Sequence, residues 1–598
     1  MKTLTDIYDR ITSCLSKTFA VLENETIKYR ELKTQINHFS GLFSEYGIKS
    51  GDRVIIISDD ESFVISSVAT TFFNGISATV LTTETAEIRT KSIIKQAQPK
   101  LILLDEKLQA IWQLNGEYSV YTIASKQKSS SSLMKRFSRN KQKSWRDSLQ
   151  SFNQQEPSLP SDVNLTCFIN FTSGTTGDAK GVQITYHNFL SHMETLKQTF
   201  SYDEESKVLN NMILAHADGL LQGPMLAIYN ACSLYRPCNM DVQHIEQFLN
   251  TVFRERITHL LTVPTILSFI GRLAEHNDYF DSEDFKHLIS VAGMLDINIW
   301  QRLEERFSTR INNIYGLTET VAGGIFCGPN DETFFHGTIG KPIDTEIRIV
   351  DNNTNDCDIN VEGELWLKGE NIFTCYFNNS QSTKDSFENG WFKTGDLATR
   401  DKQGFIRISG RLKELIISGG FNIHPAEVNE AILRHDEVAE VATLGLPDPD
   451  WQEVIVSAVV LKNKNTLDSN TLISHCRDWL EPKKIPRHLY FIDQLPKGDA
   501  GKVNLPKLKE MLICLSSEDK STSILIDEEM LIKMAAEIFQ VDSSLLSINS
   551  KVGETPGWDS LGHLSLIVKI ESVTGKTFTP QQIMAIKSLV NLLEHASA

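Results

Sequence analysis

Apolar and polar residues alternate along the first 120 residues in a way that predicts helices and short strands in turn. The segment 29–47 (YRELKTQINHFSGLFSEYG) repeats its apolar residues every three or four positions, which predicts an amphipathic helix. The runs DRVIIIS (52–58) and LILL (101–104) are typical of buried strands, and a second helix is predicted from Phe63 to Phe73. This alternation predicts an α/β fold with parallel sheets built from βαβ units.

Changes of pattern further along the chain predict four segments. Residues 1–409 form the predicted large N-terminal domain, in which the strand-like ELWLKG and FIRISG indicate a β subdomain near its end. A small α+β domain is predicted at 410–513, and the polar LSSEDKSTS lies in a predicted linker at 514–523. Residues 524–598 are predicted to form a helical bundle, because EEMLIKMAAEIF and LGHLSLIVKIES are amphipathic.

Residues 125–160 interrupt the βα pattern of the large domain. Four serines occupy 129–132, and eight basic residues without an acidic one lie between Lys126 and Arg146. This composition predicts a flexible, solvated insertion. A basic loop that contacts an acidic partner is the alternative.

Composition excludes several classes of function. A formal net charge of -17 argues against a nucleic-acid binder, which needs a surplus of clustered Lys and Arg. The N-terminal sequence has no apolar signal core, and no apolar run has the ~18 residues of a membrane helix. The nine cysteines include no CxxC pair, which predicts free thiols. We therefore expect a cytoplasmic protein with no nucleic-acid or membrane partner.

The segment 171–182, FTSGTTGDAKGV, has the composition of a phosphate-binding loop. Its glycines let the backbone approach an anion, and its hydroxyls, amides and lysine supply donors and charge. Asp178 follows Gly177, so the spacing differs from the common GxxxxGK[ST] loop. The apolar CFIN enters the loop as a buried strand would, which argues against a flexible linker. The candidate phosphate-binding residues are Thr172, Ser173, Gly174, Thr175, Thr176, Gly177 and Lys180.

Five further motifs follow the loop: NIYGLTET, GELWLKG, GWFKTGDLA, GRLKELIISGGFNIHPAEV and LPKGDAGKVNLPKL. Together with the loop, this ordered set resembles the adenylate-forming superfamily of acyl-CoA synthetases, nonribosomal-peptide adenylation domains and luciferases. The resemblance runs from about residue 24 to about residue 510. It implies that an anionic carboxylate attacks the α-phosphorus of ATP, so the site must neutralise charge.

The resemblance assigns the nucleotide site residue by residue. Glu319 would bind Mg²⁺ and Thr318 the α-phosphate, while Tyr315, with Gly316 beside it, would lie against adenine. Carboxylate oxygens suit Mg²⁺. A carboxylate can also accept two ribose hydroxyls, the role implied for Asp396. Arg411 would support the ribose and phosphate.

The resemblance also assigns a catalytic lysine for adenylate formation, and a hinge and a glycine pair for the second half-reaction. Lys502 matches the catalytic lysine, whose ammonium would bridge the ribose and the attacking carboxylate. Rotation of the small domain would occur about a hinge at Lys413. Gly419 and Gly420 would leave room for a pantetheine arm, although they are also compatible with a plain hairpin turn.

The C-terminal GWDSLGHLSLIVKIE (557–571) resembles the attachment region of acyl and peptidyl carrier proteins. Ser560 would carry 4'-phosphopantetheine, and a helix N-terminus there would favour the phosphodiester. A DSL tripeptide alone is more often a helix cap. The carrier interpretation implies two partners, a phosphopantetheinyl transferase and a separate enzyme that accepts the thioester.

The segment 212–235 corresponds to the acyl pocket of the family. His216 and Gly219 fit the HxxGL pattern of acyl-CoA synthetases, whereas Asp218 aligns with the aspartate that pairs with an α-ammonium in amino-acid-activating domains. An exposed or internally paired Asp218 is the alternative, and the substrate stays open between amino and simple acyl or aryl acids. The candidate pocket residues are His216, Asp218, Gly219, Gln222, Ser290, Ala292, Gly293, Ile314, Ala322 and Gly323.

The sequence therefore predicts a ligase that adenylates a small carboxylic acid with ATP and Mg²⁺. The acyl group would then pass to phosphopantetheine on its own carrier domain, as in secondary-metabolite biosynthesis. An acyl-CoA ligase with a C-terminal interaction module is the first alternative, and a non-enzymatic binding protein is the second.

Overall fold

The computed structural model describes residues 2–112, 114, 118–124, 144–172, 179–238, 244–293, 295, 297–412, 416–423, 425–448, 451–462, 467–496, 503, 505–518, 526–558, 562–563, 565–567, 569–570, 578 and 580–597. The chain forms two compact units. The first comprises Met1–Pro237, Val252–Pro264 and Phe280–Glu414, and the second comprises Cys238–Thr251, Thr265–Tyr279 and Leu415–Ala598.

The strands of the first unit, in chain order, are β1 (Thr18–Leu22), β2 (Glu25–Lys28), β3 (Arg53–Ile57), β4 (Ser77–Leu81), β5 (Leu101–Asp105), β6 (Ser119–Ile123), β7 (Thr166–Thr172), β8 (Lys180–Thr185), β9 (Lys207–Asn210), β10 (Ser233–Arg236), β11 (His259–Thr262), β12 (His287–Ser290), β13 (Ile311–Tyr315), β14 (Ile325–Cys327), β15 (Lys341–Pro342), β16 (Thr345–Val350), β17 (Gly363–Gly369), β18 (Cys375–Tyr376), β19 (Phe387–Glu388), β20 (Trp391–Arg400) and β21 (Ile406–Arg411). Those of the second unit are β22 (Ile416–Ser418), β23 (Phe421–Ile423), β24 (Val438–Asp448), β25 (Gln452–Leu461) and β26 (His488–Phe491).

The helices, in chain order, are α1 (Leu4–Ser13), α2 (Tyr29–Glu45), α3 (Glu61–Phe73), α4 (Glu87–Ala97), α5 (Glu106–Trp112), α6 (Trp145–Leu149), α7 (Tyr186–Phe200), α8 (Ala217–Leu220), α9 (Leu226–Asn230), α10 (Ile245–Arg254), α11 (Pro264–Leu273), α12 (Ile297–Phe307), α13 (Ser380–Ser386), α14 (Pro425–Leu433), α15 (Ser469–Arg477), α16 (Leu505–Glu518), α17 (Glu528–Phe539), α18 (Pro580–Ala585) and α19 (Leu589–Ser597). None of these helices in the described ranges is long and apolar enough to cross a membrane.

Two large, mainly parallel sheets form the frame of the first unit. Among the described residues, one sheet has the order β15-β14-β13-β12-β11-β9-β10-β1-β2, and the other has the order β18-β8-β7-β4-β3-β5-β6. Their inner strands pair in parallel, and strands such as β3 and β5 are buried on both faces, as their continuous apolar runs predict. The predicted α/β class and parallel sheets are confirmed.

A smaller antiparallel sheet follows the large ones in the sequence. In the described part of the chain, β16, β17, β20 and β19 lie in this order, and β21 also pairs with β20. Its register places Asp396 opposite Arg411. The β subdomain predicted from ELWLKG and FIRISG is therefore confirmed.

Helix α7 is fixed at its start by side-chain hydrogen bonds. The Thr185 hydroxyl accepts a hydrogen bond from the backbone N–H of Asn188, which caps the first turn. The Asn188 amide donates to the backbone oxygens of Glu370 and Ile372, both at 2.8 Å. These bonds set the position of the whole helix relative to the segment that follows β17.

Residues 144–160 are folded, so the predicted flexible insertion over 125–160 is wrong for this part. Trp145 and Leu149 of α6 are buried, and the Trp145 ring lies 5.9 Å from Phe39 and 5.5 Å from Phe63, between ring centroids. The burial of these two apolar side chains helps to hold the segment on the core. Residues 125–143 lie outside the described residues.

The second unit contains a small α+β fold and helices further along the chain. Strands β23, β22, β25 and β24 form its sheet, with β26 parallel to β25, among the residues described. Helix α16 continues to Glu518, so the predicted linker at 514–523 is wrong up to that residue. Helix α17 confirms the helix predicted from EEMLIKMAAEIF.

Replacement of Trp145 tests whether α6 is part of the core. We expect Trp145→Ala to lower the free energy of unfolding by ~3 to 5 kcal/mol, because a large buried side chain leaves a cavity. Urea denaturation followed by far-ultraviolet circular dichroism would measure this change. Gln150→Ala, at an exposed position just after α6, is the control. A loss below ~1 kcal/mol, the range of surface substitutions, would contradict the placement of α6.

Candidate functional site

The glycine-rich segment 171–182 connects two antiparallel strands. Cys167, Phe168 and Ile169 of β7 are buried, which confirms that a buried strand leads into the segment. Thr172 lies opposite Lys180 across the β7–β8 ladder, and its hydroxyl donates to the Lys180 backbone oxygen at 3.4 Å. The predicted phosphate-binding residues between them, Ser173, Gly174, Thr175, Thr176 and Gly177, lie outside the described residues.

Tyr376 joins Lys180 to Glu319. Its hydroxyl donates a hydrogen bond to Glu319 Oε1 at 2.7 Å, and Lys180 Nζ lies 5.0 Å from its ring centroid, within cation–π range. The Phe373 ring, 4.8 Å away, packs beside it. Burial and the Glu319 carboxylate raise the pKa of Tyr376 well above its ordinary value, so it remains a donor. Sequence reasoning missed Tyr376, because CYFNN carries no local signal of this contact.

The turn that contains Glu319 has a strained backbone. Thr318–Thr320 forms a single 3₁₀ turn, after which Val321 and Ala322 adopt φ values of 57° and 66°. Positive φ is unfavourable for a β-branched residue, and such strain concentrates at functional sites. The Glu319 backbone oxygen accepts a hydrogen bond from Phe373 N–H at 2.8 Å, which helps to hold this turn.

Gly316 is required by close packing against the same turn. A Cβ atom at Gly316 would lie 2.2 Å from the backbone nitrogen of Gly323. Any side chain would therefore separate the end of β13 from the 321–323 backbone. This steric role adds to the predicted place of Gly316 beside the nucleotide.

Tyr315 and Asp396, predicted to contact adenine and ribose, are brought together. The Tyr315 hydroxyl donates to Asp396 Oδ2, and the Asp396 carboxyl is almost fully buried. The backbone N–H of Asp396 also donates to the Thr394 hydroxyl at 3.0 Å. Arg411 pairs with Asp396 in the strand register, which places its backbone at the same point of the sheet.

The predicted acyl-pocket segment folds as a broken helix. His216 is exposed just before α8, and the chain continues through a π-type turn at Leu221–Met225, with non-helical φ and ψ at Gly223, into α9. Wide helical turns of this kind are frequent at functional sites. A Cβ at Gly219 would lie 2.1 Å from the Ile213 backbone oxygen, so only glycine allows α8 to pack this closely on the loop that follows β9.

Asp218 lies half-buried among protein atoms and contacts Gln222. Gln222 Nε2 donates to Asp218 Oδ1 at 3.3 Å and to the Ala322 backbone oxygen at 2.9 Å. Burial raises the pKa of Asp218 to about 7, and no salt bridge to it is found among the described residues. The side chain therefore pairs internally with Gln222, and its raised pKa favours the protonated form relative to an exposed aspartate.

The remaining predicted pocket residues meet at the ends of β12 and β13. Ser290 ends β12 and lies opposite Asn313 of β13, the residue before Ile314. Ligands in parallel α/β sheets bind at the carboxyl ends of strands. The residues at these ends are buried or half-buried: Ser290, Ala292, Gly293, Ile314, Ala322 and Gly323.

In the second unit, Gly419 and Gly420 form the two-residue turn of the β22–β23 hairpin, with φ values of 59° and 77°. Both values are typical of a type I′ turn. The Trp451 ring packs on Gly419, where a Cβ would lie 2.8 Å from it. Lys413, Lys502 and Ser560, and the side chain of Arg411, lie outside the described residues, so their predicted roles stay predictions.

Comparison with known proteins identifies several similar ligases. The sulfoacetate–CoA ligase of Cupriavidus necator is 33% identical over 354 residues, which cover 59% of this chain and 68% of that ligase. The 2-succinylbenzoate–CoA ligase of Bacillus velezensis is 28% identical over 496 residues, covering 82% and 94%. A long-chain-fatty-acid–CoA ligase of Yersinia pestis is 31% identical over 388 residues, covering 63% and 67%.

Solved structures share the fold at low sequence identity. The o-succinylbenzoate CoA synthetase of Bacillus subtilis aligns with a TM-score of 0.73 and 23% identity, covering 84% of this chain and 98% of that one. The amide bond synthetase McbA of Marinactinospora thermotolerans aligns with a TM-score of 0.72 and 19% identity, covering 84% and 99%. The fold is thus the α/β adenylate-forming fold with a large N-terminal and a small C-terminal domain.

The ligase relatives correct one part of the sequence-based interpretation. Their names describe CoA ligases, which favours the alternative acceptor, CoA, over an arm on Ser560. A carrier domain at 524–598 is matched by neither family model, since the AMP-binding enzyme model matches residues 11–377 and the AMP-binding enzyme C-terminal domain model matches residues 427–502. These two matches show that the chain belongs to the AMP-binding enzyme family, as an adenylate-forming enzyme of the acyl-CoA-ligase-like type.

Proposed function

We propose that this protein activates a small carboxylic acid with ATP as an acyl-adenylate, releases pyrophosphate, and transfers the acyl group to the thiol of CoA. The observation that carries the proposal is the contact of Lys180, Tyr376 and Glu319. It places a cation from the glycine-rich hairpin and a carboxylate within reach of one phenol ring. A triphosphate and its metal ion need both charges at one place.

Glu319 has the properties expected of a Mg²⁺ ligand. Its carboxylate is half-buried, and Tyr376 occupies only one lone pair of Oε1. Oxygen ligands of this kind suit Mg²⁺, which binds through one or two carboxylates together with phosphate oxygens. When bound, Mg²⁺ neutralises the phosphate charge. Lys180 would contribute further positive charge, and the hydroxyls of 172–176 would donate hydrogen bonds to the phosphates.

The nucleoside would lie at the other end of this cluster. Tyr315 ends β13, and its hydrogen bond to Asp396 orients a buried carboxylate. A carboxylate fixed in this way can accept both ribose hydroxyls. The adenine ring would lie against Tyr315, and Lys502 would reach the attacking carboxylate.

The first reaction joins a carboxylate oxygen to the α-phosphorus of ATP, and the bond to pyrophosphate breaks. In the second, the thiol sulfur attacks the acyl carbon. The bond between that carbon and the phosphate oxygen breaks, AMP leaves with the electron pair, and the thiol proton passes to solvent. CoA is the first choice of thiol because the similar ligases are named for it.

A carrier arm on Ser560 is the second candidate acceptor, and the C-terminal helices support it. Trp558 stacks on Phe539 at 4.7 Å, and its indole N–H donates to His563 Nδ1 at 3.0 Å. Arg487, the residue before β26, donates to the Ser565 hydroxyl at 3.3 Å. Residues on both sides of Ser560 thus belong to one packed cluster that contacts the small domain.

Product analysis separates the two acceptors. We expect the wild-type protein, supplied with ATP, Mg²⁺, acid and free CoA, to release acyl-CoA, detected by mass spectrometry. Lys502→Ala should lower adenylate formation by at least ~100-fold, because developing negative charge loses its cation. After treatment with a phosphopantetheinyl transferase, an acyl group bound to the protein and lost in Ser560→Ala would establish the carrier instead. Acyl-adenylate formation at the wild-type rate in Lys502→Ala would contradict the mechanism.

Tyr376 provides a second test of the charge cluster. Tyr376→Phe keeps the ring near Lys180 but removes the hydrogen bond to Glu319, and bonds to charged groups contribute ~1.5 to 3 kcal/mol. We expect a ~10- to 100-fold lower kcat/KM for ATP and a higher Mg²⁺ concentration at half-maximal rate. Protection against thermal unfolding by ATP with Mg²⁺ should weaken in parallel.

Tyr8→Phe is the matched control for Tyr376→Phe. It also removes a tyrosine hydrogen bond to a carboxylate, that of Glu156, but outside the Lys180–Glu319 cluster. We expect it to leave the Mg²⁺ dependence unchanged. Equal Mg²⁺ dependence in wild type and Tyr376→Phe would show that Tyr376 does not position Glu319.

Asp218 makes stability depend on pH. Because burial raises its pKa to about 7, the native state retains a proton that the unfolded chain has lost. The free energy of unfolding should therefore fall as pH rises from ~4 to ~7, and Asp218→Asn should remove this fall. We expect the Tm of Asp218→Asn, relative to wild type, to be higher at pH 8 than at pH 5. If the difference in Tm between Asp218→Asn and wild type is the same at pH 5 and pH 8, the Asp218 carboxyl does not retain a proton in the native state. Asp9→Asn, at an exposed position, is the control.

A further inference from the structure

His192 is a buried polar side chain with unused hydrogen-bonding capacity. It lies on α7 and is fully buried, and neither ring nitrogen has a hydrogen-bond partner among the described residues. His259, equally buried, shows the usual arrangement: its two nitrogens contact the Thr258 hydroxyl at 2.7 Å and the Phe200 backbone oxygen at 2.9 Å. Buried polar groups are normally hydrogen-bonded, because an unpaired one costs free energy.

The His192 ring lies where a side chain of Gly323 would be. A Cβ built on Gly323 would be 2.1 Å from His192 Cε1 and 2.6 Å from Nε2. Gly323 is one of the predicted walls of the acyl pocket, and it has no side chain of its own. The imidazole from α7 therefore packs directly on this predicted wall residue.

Two other predicted wall residues also have unused polar atoms. Gln222 Nε2 donates to the backbone oxygen of Ala322, the neighbour of Gly323, whereas the buried Gln222 Oε1 atom has no hydrogen-bond partner in the part of the chain that the structure describes. The buried hydroxyl of Ser290 likewise has no hydrogen-bond partner within the described ranges. The three groups lie on three different elements: the His192 ring on α7, the Gln222 amide oxygen on the π-type turn, and the Ser290 hydroxyl at the end of β12.

The imidazole is neutral near physiological pH. Burial lowers the pKa of His192 to about 4, although the Asp344 carboxylate acts in the opposite direction. A neutral imidazole offers one N–H donor and one acceptor nitrogen. It suits an uncharged hydrogen-bonding group, and it could not neutralise a second carboxylate.

We propose that His192 is a specificity-determining residue that hydrogen-bonds an uncharged polar group at the acyl end of the substrate. The substrate class is then carboxylic acids that bear a hydroxyl, keto or amide group distant from the reacting carboxylate. This inference rests on the proposed acid activation. A site built to hydrogen-bond its substrate rejects the analogue without that group, because its own polar atoms are then left unpaired.

Matched acids test the proposal. ATP–pyrophosphate exchange is measured with acids of equal chain length whose far end is unsubstituted, hydroxylated, oxidised to a ketone or converted to an amide. We expect the wild-type protein to have a kcat/KM at least ~10-fold higher for one of the polar acids than for the unsubstituted acid. His192→Leu, which keeps the apolar bulk, should remove this preference, and His192→Gln, which keeps a donor and an acceptor, should restore part of it.

Gly323→Ala gives an independent variant. Its Cβ would displace the His192 ring, so it should reduce the preference for the polar acid as His192→Leu does. His192→Ala combined with Gly323→Ala should relieve the clash and recover stability without recovering the preference. His259→Phe is the matched control, because it removes a buried histidine whose nitrogens are already bonded; it should lower Tm but leave the preference unchanged.

The outcomes separate the two levels of the proposal. If neither the wild type nor any variant shows ATP–pyrophosphate exchange with any of the acids, the proposed acid activation is overturned, and this inference with it. Exchange in which the wild type favours the unsubstituted acid, or in which His192→Leu retains the wild-type preference, would overturn the role of His192 alone. If His192→Leu fails to fold, the wild-type preference and Gly323→Ala still decide the question.

Discussion

The contact of one phenol with two opposite charges organises the proposed nucleotide site. Tyr376 lies on β18 opposite Val182 of β8, two residues after Lys180, and its hydroxyl donates to Glu319 on the turn after β13. The ring thereby connects β18, at the edge of one large sheet, with the turn that follows β13 of the other large sheet. Two further hydrogen-bonded pairs lie near that turn. Tyr315, which bonds to Asp396, comes three residues before it, and Gln222, which bonds to Asp218, also donates to the Ala322 backbone oxygen just after it.

The turn after β13 lies between the proposed nucleotide site and the predicted acyl pocket. Glu319 faces the proposed metal and phosphate side, whereas Ala322 and Gly323, a few residues later, contact Gln222 and His192 on the acyl side. The positive φ values at Val321 and Ala322 reverse the chain between them. Strain of this kind persists only where surrounding packing fixes it, and the close approach of Gly316 to Gly323 supplies such packing. A small shift of this turn would therefore alter both binding regions together.

The sequence predicts helices and strands correctly where the spacing of apolar residues is regular. Helices α2 and α3, strands β3 and β5, and the strand before the glycine-rich segment all occur where apolar spacing places them. The order of residues 144–160 was missed, because Ser- and Lys-rich neighbours obscure the two anchors Trp145 and Leu149. Tyr376 and His192 were missed for another reason: each acquires its role only through contact with a residue far along the chain, Glu319 or Gly323, which no local pattern records.

Transfer of an oxygen atom from the acid to AMP tests the central claim most directly. If the carboxylate attacks the α-phosphorus, an acid labelled with ¹⁸O in its carboxylate and turned over with ATP and CoA must leave one ¹⁸O atom in AMP, detected by mass spectrometry. Unlabelled AMP, or formation of ADP with ¹⁸O in inorganic phosphate, would show that the acid is activated by another route and would contradict the account.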